Sequence, residues 1–143
     1  MSRSTDVPKE KVAEMLAAAR EAMARAYAPY SNFPVGAALL GANGKIYPGC
    51  NVENAAYPQG CCAEASAISA MVADGERQIQ AVLVVGQGAA LIAPCGGCRQ
   101  RLNEFAAPET PIHLCGSTGL MKTVTMGQLL PHGFGPHSLE SAS

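Results

Sequence analysis

The sequence predicts an α/β fold in which helices cover both faces of a mixed sheet. Segments with the apolar period of a helix alternate with short apolar runs typical of strands, in the order αββαβαββ(α). The chain has 143 residues, a length that suits one domain with its own hydrophobic core. We therefore expect residues 1–143 to form a single three-layer α/β/α sandwich around a sheet of about five strands.

The first half of the chain reads as one helix followed by a β-hairpin. Residues 8–27 repeat apolar side chains with the period of an amphipathic helix, at Val12, Met15, Leu16, Ala19, Met23 and Ala26. The segment "APYSNFP" breaks this pattern with two prolines. Two strand-like runs follow in "VGAALLGANGKIYPGCNV", on either side of Asn43-Gly44. This dipeptide predicts a hairpin turn, because both residues tolerate positive φ.

The second half of the chain alternates helices with strands. A helix is predicted from residue 61 or 62 to about residue 73, where Asp74-Gly75 ends it. The run "AVLVVG" is continuously apolar, as expected of a strand buried on both faces. A third helix follows over about 95–105, then "IHLCG" and "KTVT" as strands and "MGQLL" as a short helical turn. We expect residues 132–143 to be a C-terminal tail.

Charge and composition exclude several classes of partner. The net charge is only −1 and no basic run is present, so long-range attraction to a nucleic acid is weak. The start "MSRSTDVPKEK" lacks the apolar core of a signal peptide, and no stretch approaches the ~20 apolar residues of a membrane span. Six cysteines without an export signal favour metal binding or catalysis over disulfides. We expect a cytoplasmic protein without nucleic-acid or membrane partners.

Three cysteines lie at predicted helix starts. Cys95 and Cys98 form a C-x-x-C pair, which alone is compatible with either zinc binding or redox chemistry. Two intervening glycines and a third cysteine, Cys62, at another helix start favour zinc. Helix N-termini favour thiolates, so two converging helix starts would prepare three ligands for one Zn²⁺ and leave the fourth position to water. The alternatives are Cys61 as a fourth ligand and a purely structural zinc.

Glu64 follows Cys62 by two residues in the predicted helix. Such residues diverge along the side of a helix, but they can share a pocket beyond its N-terminus. A carboxylate there can take a proton from a metal-activated water and return it to a ring nitrogen and a leaving amine. The pattern therefore favours a catalytic zinc site, the alternative being that Glu64 simply complements the helix dipole.

Five motifs, spread over most of the chain and in this order, resemble the small homotetrameric cytidine deaminases, a zinc-dependent family. They are "YSNFPVGAAL", "GCNVENAAY", "CAE", "PCGGCRQ" and "LLPHGF". Zinc nucleobase deaminases share the H-x-E…P-C-x-x-C pattern, with three-cysteine variants of the zinc site. The resemblance implies hydrolytic deamination of cytidine or 2′-deoxycytidine, as in pyrimidine salvage. It also implies a homotetramer whose sites are completed by neighbouring subunits.

The resemblance assigns a role to each matching residue. The zinc ligands would be Cys62, Cys95 and Cys98, and the proton shuttle would be Glu64. Asn51 and Glu53 would bind the ribose, and Phe33 would pack beside the nucleoside. Phe134 would be the aromatic residue that enters a neighbouring subunit's site. Without the resemblance, Asn51 and Glu53 would be ordinary loop residues and Phe33 a core residue. The ribose pair suits its role, because an amide and a carboxylate two residues apart on an extended segment point the same way.

One position departs from the family pattern. The family commonly has arginine directly after C-A-E, whereas this chain has Ala65. Arg99, directly after Cys98, matches a second family arginine, and we expect it to donate hydrogen bonds to ligand sulfurs. Deaminases of modified cytosine nucleosides, such as the blasticidin type, also lack the first arginine, and they remain an alternative. The retained "NVEN" favours an ordinary nucleoside over them, and a non-catalytic zinc-binding protein is a more distant alternative.

Overall fold

The computed structural model describes residues 7–90 and 92–140, and its elements follow the predicted order. The helices are α1 (Lys9–Met23), α2 (Ala63–Ala73), α3 (Gly96–Asn103), α4 (Met126–Leu129) and α5 (Pro136–Glu140), with one 3₁₀ turn at Tyr57–Gln59. The strands are β1 (Val35–Gly41), β2 (Ile46–Cys50), β3 (Ile79–Gly86), β4 (Pro111–Gly116) and β5 (Gly119–Thr125).

The five strands form one mixed sheet in the order β2-β1-β3-β4-β5. Strand β1 runs antiparallel to β2 and β3, β3 runs parallel to β4, and β4 runs antiparallel to β5. The parallel pair requires a crossover, which the segment containing α3 provides. The predicted hairpin is confirmed, with Gly44 at a φ of 84° in the turn between β1 and β2.

Helices cover both faces of the sheet, which confirms the predicted three-layer arrangement. Met15 and Ala19 of α1 pack on one face with Leu83 and Val85 of β3. On the opposite face, Met71 of α2 and Leu102 of α3 pack in one cluster with Val82 and Val84 of β3. Strand β3 is therefore buried on both faces, as its continuous apolar run predicts.

A glycine in β2 determines where the functional end of α2 lies. A Cβ atom at Gly49 would stand 2.5 Å from the carbonyl oxygen of Ala63 and 2.6 Å from the amide nitrogen of Ala67. No other residue allows this approach, so α2 begins directly against the strand. The start of α2, and with it Cys62, is therefore fixed relative to the sheet.

Several boundaries differ from the prediction, most of all at the end of α1 and in the tail. Helix α1 ends at Met23, because the following chain leaves the helix to pair with Val52 through Tyr27, whose N–H donates to Asn51 O at 3.0 Å. The predicted tail contains the short helix α5, while residues 141–143 and 1–6 lie outside the described ranges. Within the described ranges, no helix combines the length and apolar character that a membrane crossing needs.

Candidate active site and metal centre

The structure brings Cys62, Cys95 and Cys98 together, with their Sγ atoms all within 4.8 Å of one another. Cys62 is the N-cap of α2, Cys95 is the N-cap of α3, and Cys98 lies in the first turn of α3. Zinc–sulfur bonds of about 2.3 Å in a tetrahedron place sulfurs roughly 3.8 Å apart, so the three residues fit one zinc ion after a small inward movement.

The neighbouring Cys61 is not part of this cluster among the described residues. Its side chain is exposed, and its Sγ lies 3.6 Å from the hydroxyl oxygen of Ser66. Three protein ligands leave one position of a tetrahedral zinc open, which is typical of a catalytic site. The geometry therefore favours three cysteines over the alternative with four.

The three thiols differ in their surroundings. Burial raises the pKa of Cys62 and of Cys98, and the nearby charge of Glu64 raises the pKa of Cys98 further. The pKa of Cys95 is lowered, mainly because the backbone N–H of Cys98 donates to its sulfur at the start of α3. A bound divalent cation favours the thiolate form of all its ligands, so metal binding would offset the burial of the other two.

Glu64 lies in the first turn of α2 and is only 4% exposed. Burial raises the pKa of its carboxyl group above the usual value, while a hydrogen bond with Cys98 and the charge of Arg101 act in the opposite direction. An acid that only complements a helix dipole would face solvent. A buried carboxyl group with a raised pKa is instead suited to accepting and donating protons.

A cavity of about 270 Å³ opens onto this cluster. It is lined by Ser31, Phe33, Val35, Asn51, Glu53, Cys62, Ala63, Glu64, Val84, Ile92, Ala93 and Cys95. The predicted substrate-binding residues of the 30–53 region thus share one cavity with the predicted proton shuttle and two predicted metal ligands. Cys98 lies behind the cavity wall and is fully buried.

Asn51 and Glu53 are fixed at the edge of the cavity by the loop before β1. The Asn51 side-chain oxygen accepts from Val35 N at 2.9 Å, and its amide nitrogen donates to Phe33 O at 3.0 Å. The Glu53 carboxylate accepts from the N–H groups of Tyr30, at 2.9 Å, and Ser31, at 3.1 Å, and also from the Ser31 hydroxyl. The Ser31 hydroxyl in particular lowers the pKa of Glu53, so this carboxylate stays ionised.

The two predicted aromatic residues lie in different places. Phe33 lines the cavity and is 44% exposed. Phe134 is 58% exposed and does not line the cavity of its own chain. Its carbonyl oxygen accepts from Gln100 Nε2 and Asn103 Nδ2 of α3, both at 2.9 Å. The backbone at Phe134 is thus anchored to α3 while its ring faces outward.

Arg99 does not make the predicted contact with sulfur in this structure. Its Nε donates to Pro94 O at 2.7 Å and its Nη1 to Leu129 O at 3.1 Å. The N–H···S contact comes instead from Arg101, whose Nη1 lies 3.8 Å from Cys98 Sγ. The reason is helix geometry, since residues three apart stack on one face of a helix and adjacent residues do not.

Sequence reasoning missed several residues of the cavity wall, and two of them, Ser31 and Ile92, shape it through specific contacts. Ser31 links the wall together, because its hydroxyl oxygen accepts from Phe33 N at 3.1 Å and its hydroxyl group contacts Glu53. Ile92 fills the space over Gly86, where a Cβ would stand only 1.6 Å from the Ile92 Cδ1 atom. Gly86 at the end of β3 was the one available signal that another side chain approaches the backbone there.

Comparisons with known proteins agree with this geometry. The model of one protein family, "Cytidine and deoxycytidylate deaminase zinc-binding region", matches residues 9–114 of this chain. A protein from Sporosarcina psychrophila named cytidine deaminase is 42% identical over 132 residues, covering 92% of this chain and 97% of the relative. A second relative of that name, from Halalkalibacterium halodurans, is 39% identical over 109 residues, or 76% of this chain and 83% of the relative.

Solved structures give the same result. The cytidine deaminase from Burkholderia pseudomallei superposes with a TM-score of 0.81 at 44% identity, covering 85% of this chain and 98% of that one. The cytidine deaminase from Mycobacterium leprae gives a TM-score of 0.74 at 42% identity, over 89% of this chain and 100% of that one. The chain therefore belongs to the cytidine and deoxycytidylate deaminase family.

Proposed function

We propose that this protein catalyses the hydrolytic deamination of cytidine or 2′-deoxycytidine to the uridine product and ammonia, with zinc as its cofactor. Relatives named cytidine deaminase at about 40% identity over most of the chain support this reaction. The observation that carries it is the convergence of three cysteine sulfurs beside a buried glutamate at one cavity. This arrangement supplies a metal site with an open position and a proton carrier next to it.

The reaction adds water across the N3–C4 double bond of the base, with oxygen on C4 and a proton on N3, and then breaks the C4–N4 bond. Cys62, Cys95 and Cys98 would hold the zinc ion, which would supply Lewis-acid activation of the attacking water. Glu64, whose pKa is raised by burial, accepts one proton from that water. It passes this proton to N3 of the ring, then takes the second proton from the hydroxyl group now on C4 and delivers it to the departing amino group. The water oxygen remains on C4, and nitrogen leaves as ammonia.

The other cavity residues bind the nucleoside. The ionised carboxylate of Glu53 accepts hydrogen bonds from ribose hydroxyls, since an ionised carboxylate has about four lone-pair directions and three described donors reach it. Asn51 holds the 33–35 segment with one amide hydrogen and offers the other to the ribose. Phe33 packs against the nucleoside from the exposed wall of the cavity.

The active assembly that we propose is a homotetramer in the cytoplasm, serving pyrimidine salvage. In it Phe134 enters the cavity of a neighbouring subunit. Two features support this arrangement: the ring is 58% exposed and lies outside the cavity of its own chain, and the backbone beside it is anchored to α3. An aromatic side chain held outward in this way suits a contact with another subunit.

Incubation of the purified zinc-loaded protein with cytidine tests the reaction. We expect the absorbance to change as cytidine is converted to uridine, with one equivalent of ammonia released per uridine formed. Free cytosine, which lacks the ribose, should be a poor substrate, and 2′-deoxycytidine should react. A protein that releases ammonia only from modified cytosine nucleosides, or from none, would contradict the proposal.

A further inference from the structure

An arginine outside the cavity contacts the most deeply buried of the three sulfurs. Arg101 follows Cys98 by three residues in α3, so the two side chains lie on the same helix face. The Arg101 Nη1 atom is 3.8 Å from Cys98 Sγ, within reach of a hydrogen bond to sulfur. Cys98 is fully buried, whereas Arg101 is an exposed residue that extends over it.

The charge of the metal centre gives this contact a function. Three thiolates and Zn²⁺ carry a formal charge of −1, and electron-rich sulfurs weaken the metal as a Lewis acid. A hydrogen bond from a cation to a ligand sulfur withdraws electron density and restores part of that acidity. Among the described residues, Arg101 is the one with a guanidinium hydrogen bond to any of the three sulfurs. The other arginine of this helix start, Arg99, is bound to two backbone carbonyls.

The neighbouring helix leaves room for this side chain. Ala65 of α2 and Arg101 of α3 line the same surface groove, of about 380 Å³. A long side chain at position 65 would compete with Arg101 for this groove. Ala65, a small residue, therefore leaves this groove free for the Arg101 guanidinium of α3.

We propose that Arg101 is a positioning residue of the metal centre, which acts through Cys98 to offset the negative charge of the three thiolates. This inference rests on the proposed function, because it assumes a metal ion at the cysteine cluster. Arg101 does not line the cavity. Its effect should therefore appear in the electronic properties of the metal site and in kcat, and much less in the KM for cytidine.

Cobalt substitution reads the sulfur contact directly. Co²⁺ bound to thiolates has a sulfur-to-metal charge-transfer band, and a hydrogen bond to sulfur moves this band to shorter wavelength because it stabilises the sulfur lone pairs. Arg101→Met removes the charge and every N–H group at similar length, so we expect its band at longer wavelength than in the unmodified protein. Arg101→Lys keeps a charged donor and should give an intermediate band. Arg77→Met, which removes an exposed arginine lying away from the sulfurs, should leave the band unchanged.

The kcat values of the zinc-loaded variants should follow the same order as the shifts of the cobalt band. Loss of a group that supports a metal ligand commonly lowers activity or metal affinity by roughly 10- to 100-fold. We therefore expect the kcat of Arg101→Met to decrease by roughly 10- to 100-fold. The double variant Arg101→Met, Ala65→Arg places a guanidinium in the same groove and should recover part of the loss. Its cobalt band should move back toward shorter wavelength.

Three outcomes decide the proposal. A shifted band in Arg101→Met, with Arg77→Met unchanged, supports it. Identical bands in Arg101→Met and the unmodified protein would overturn it, even if cytidine turnover is as proposed. An unmodified protein that binds Co²⁺ without a thiolate charge-transfer band would overturn the cysteine metal site, and with it both this inference and the proposed function.

Discussion

The two ends of the cavity are built in different ways. At the metal end, the functional groups are carried by the first turns of α2 and α3 or by their N-caps, and Glu64 and Cys98 are buried. At the ribose end, Asn51 and Glu53 are held by backbone groups of an exposed loop. The first end is rigid because helix starts and the sheet fix it. The second depends on a few hydrogen bonds that one substitution can remove.

The largest effect should come from removing a metal ligand. Cys62→Ala should lose its zinc and lower kcat/KM by about 10³-fold or more, since a metal contributes several kcal/mol to such a reaction. The adjacent Cys61→Ala is a matched control, because Cys61 is exposed and outside the cluster. Metal analysis and cytidine turnover of both variants provide the check. Full zinc content in Cys62→Ala would remove this residue from the ligand set.

A smaller effect is expected at the ribose end. Glu53→Gln replaces an ionised acceptor by a neutral amide, and hydrogen bonds to charged groups contribute about 1.5–3 kcal/mol. We expect the KM for cytidine to rise roughly 10- to 100-fold, with a lesser change in kcat. Glu21→Gln, at an exposed position of α1, is the control. An unchanged KM in Glu53→Gln would mean that this carboxylate only holds the 30–31 loop.

Phe134 tests whether the cavity is completed by another subunit. Phe134→Ala should raise the KM for cytidine, because the nucleoside loses apolar contact. Mixing Phe134→Ala chains with an excess of Glu64→Gln chains should then restore turnover per Phe134→Ala chain. In mixed assemblies an intact Glu64 can receive Phe134 from its neighbour, although neither variant is fully competent alone. Turnover that does not rise after subunit exchange would refute the shared site.

The smallest effect is expected at a side chain outside both ends. His113 of β4 is buried; its Nδ1 contacts Thr123 Oγ1 at 2.9 Å, and its Nε2 has no hydrogen-bond partner among the described residues. Burial lowers the pKa of His113, so the unfolded chain binds its proton more readily than the folded one. This residue therefore supports stability above the unfolded pKa of about 6.5, and that support is lost as the pH falls through this value toward the folded pKa.

Thermal unfolding between pH 7.5 and pH 5 checks this expectation. The slope from one such proton is at most about 1.4 kcal/mol per pH unit. His113→Leu should lose less stability on acidification than the unmodified protein, while its kcat at neutral pH should stay the same. Parallel stability curves for the two proteins would show that His113 does not titrate as described.

The sequence predicted what depends on local spacing. The hairpin at Asn43-Gly44, the helix start at Cys62 and the C-x-x-C pair at Cys95 follow from neighbours within a few residues, and the structure contains all three features. What it could not predict depends on contacts distant in the chain. Arg101 rather than Arg99 contacts sulfur because of the side-chain orientations on α3 and the carbonyl of Leu129, 30 residues away.

The same distinction applies to the ends of elements. Helix α1 stops at Met23 because Tyr27 pairs with a segment near Asn51, an interaction that helical periodicity does not record. The backbone at Phe134 is anchored by Gln100 and Asn103, more than 30 residues earlier in the chain. Local patterns thus located the metal end of the cavity well, and the loop-built end needed the resemblance to a known family.

The central claim is that a buried glutamate moves protons beside a zinc ion held by three cysteines. Glu64→Gln keeps the size and polarity of the side chain but removes its ability to carry protons. Zinc content and single-turnover conversion of cytidine should be measured together in Glu64→Gln and in Glu10→Gln, a control with an exposed acid in the first turn of α1. We expect Glu64→Gln to retain zinc and lose at least about 10²-fold in rate, and Glu10→Gln to match the unmodified protein. Normal turnover in zinc-loaded Glu64→Gln would contradict the account.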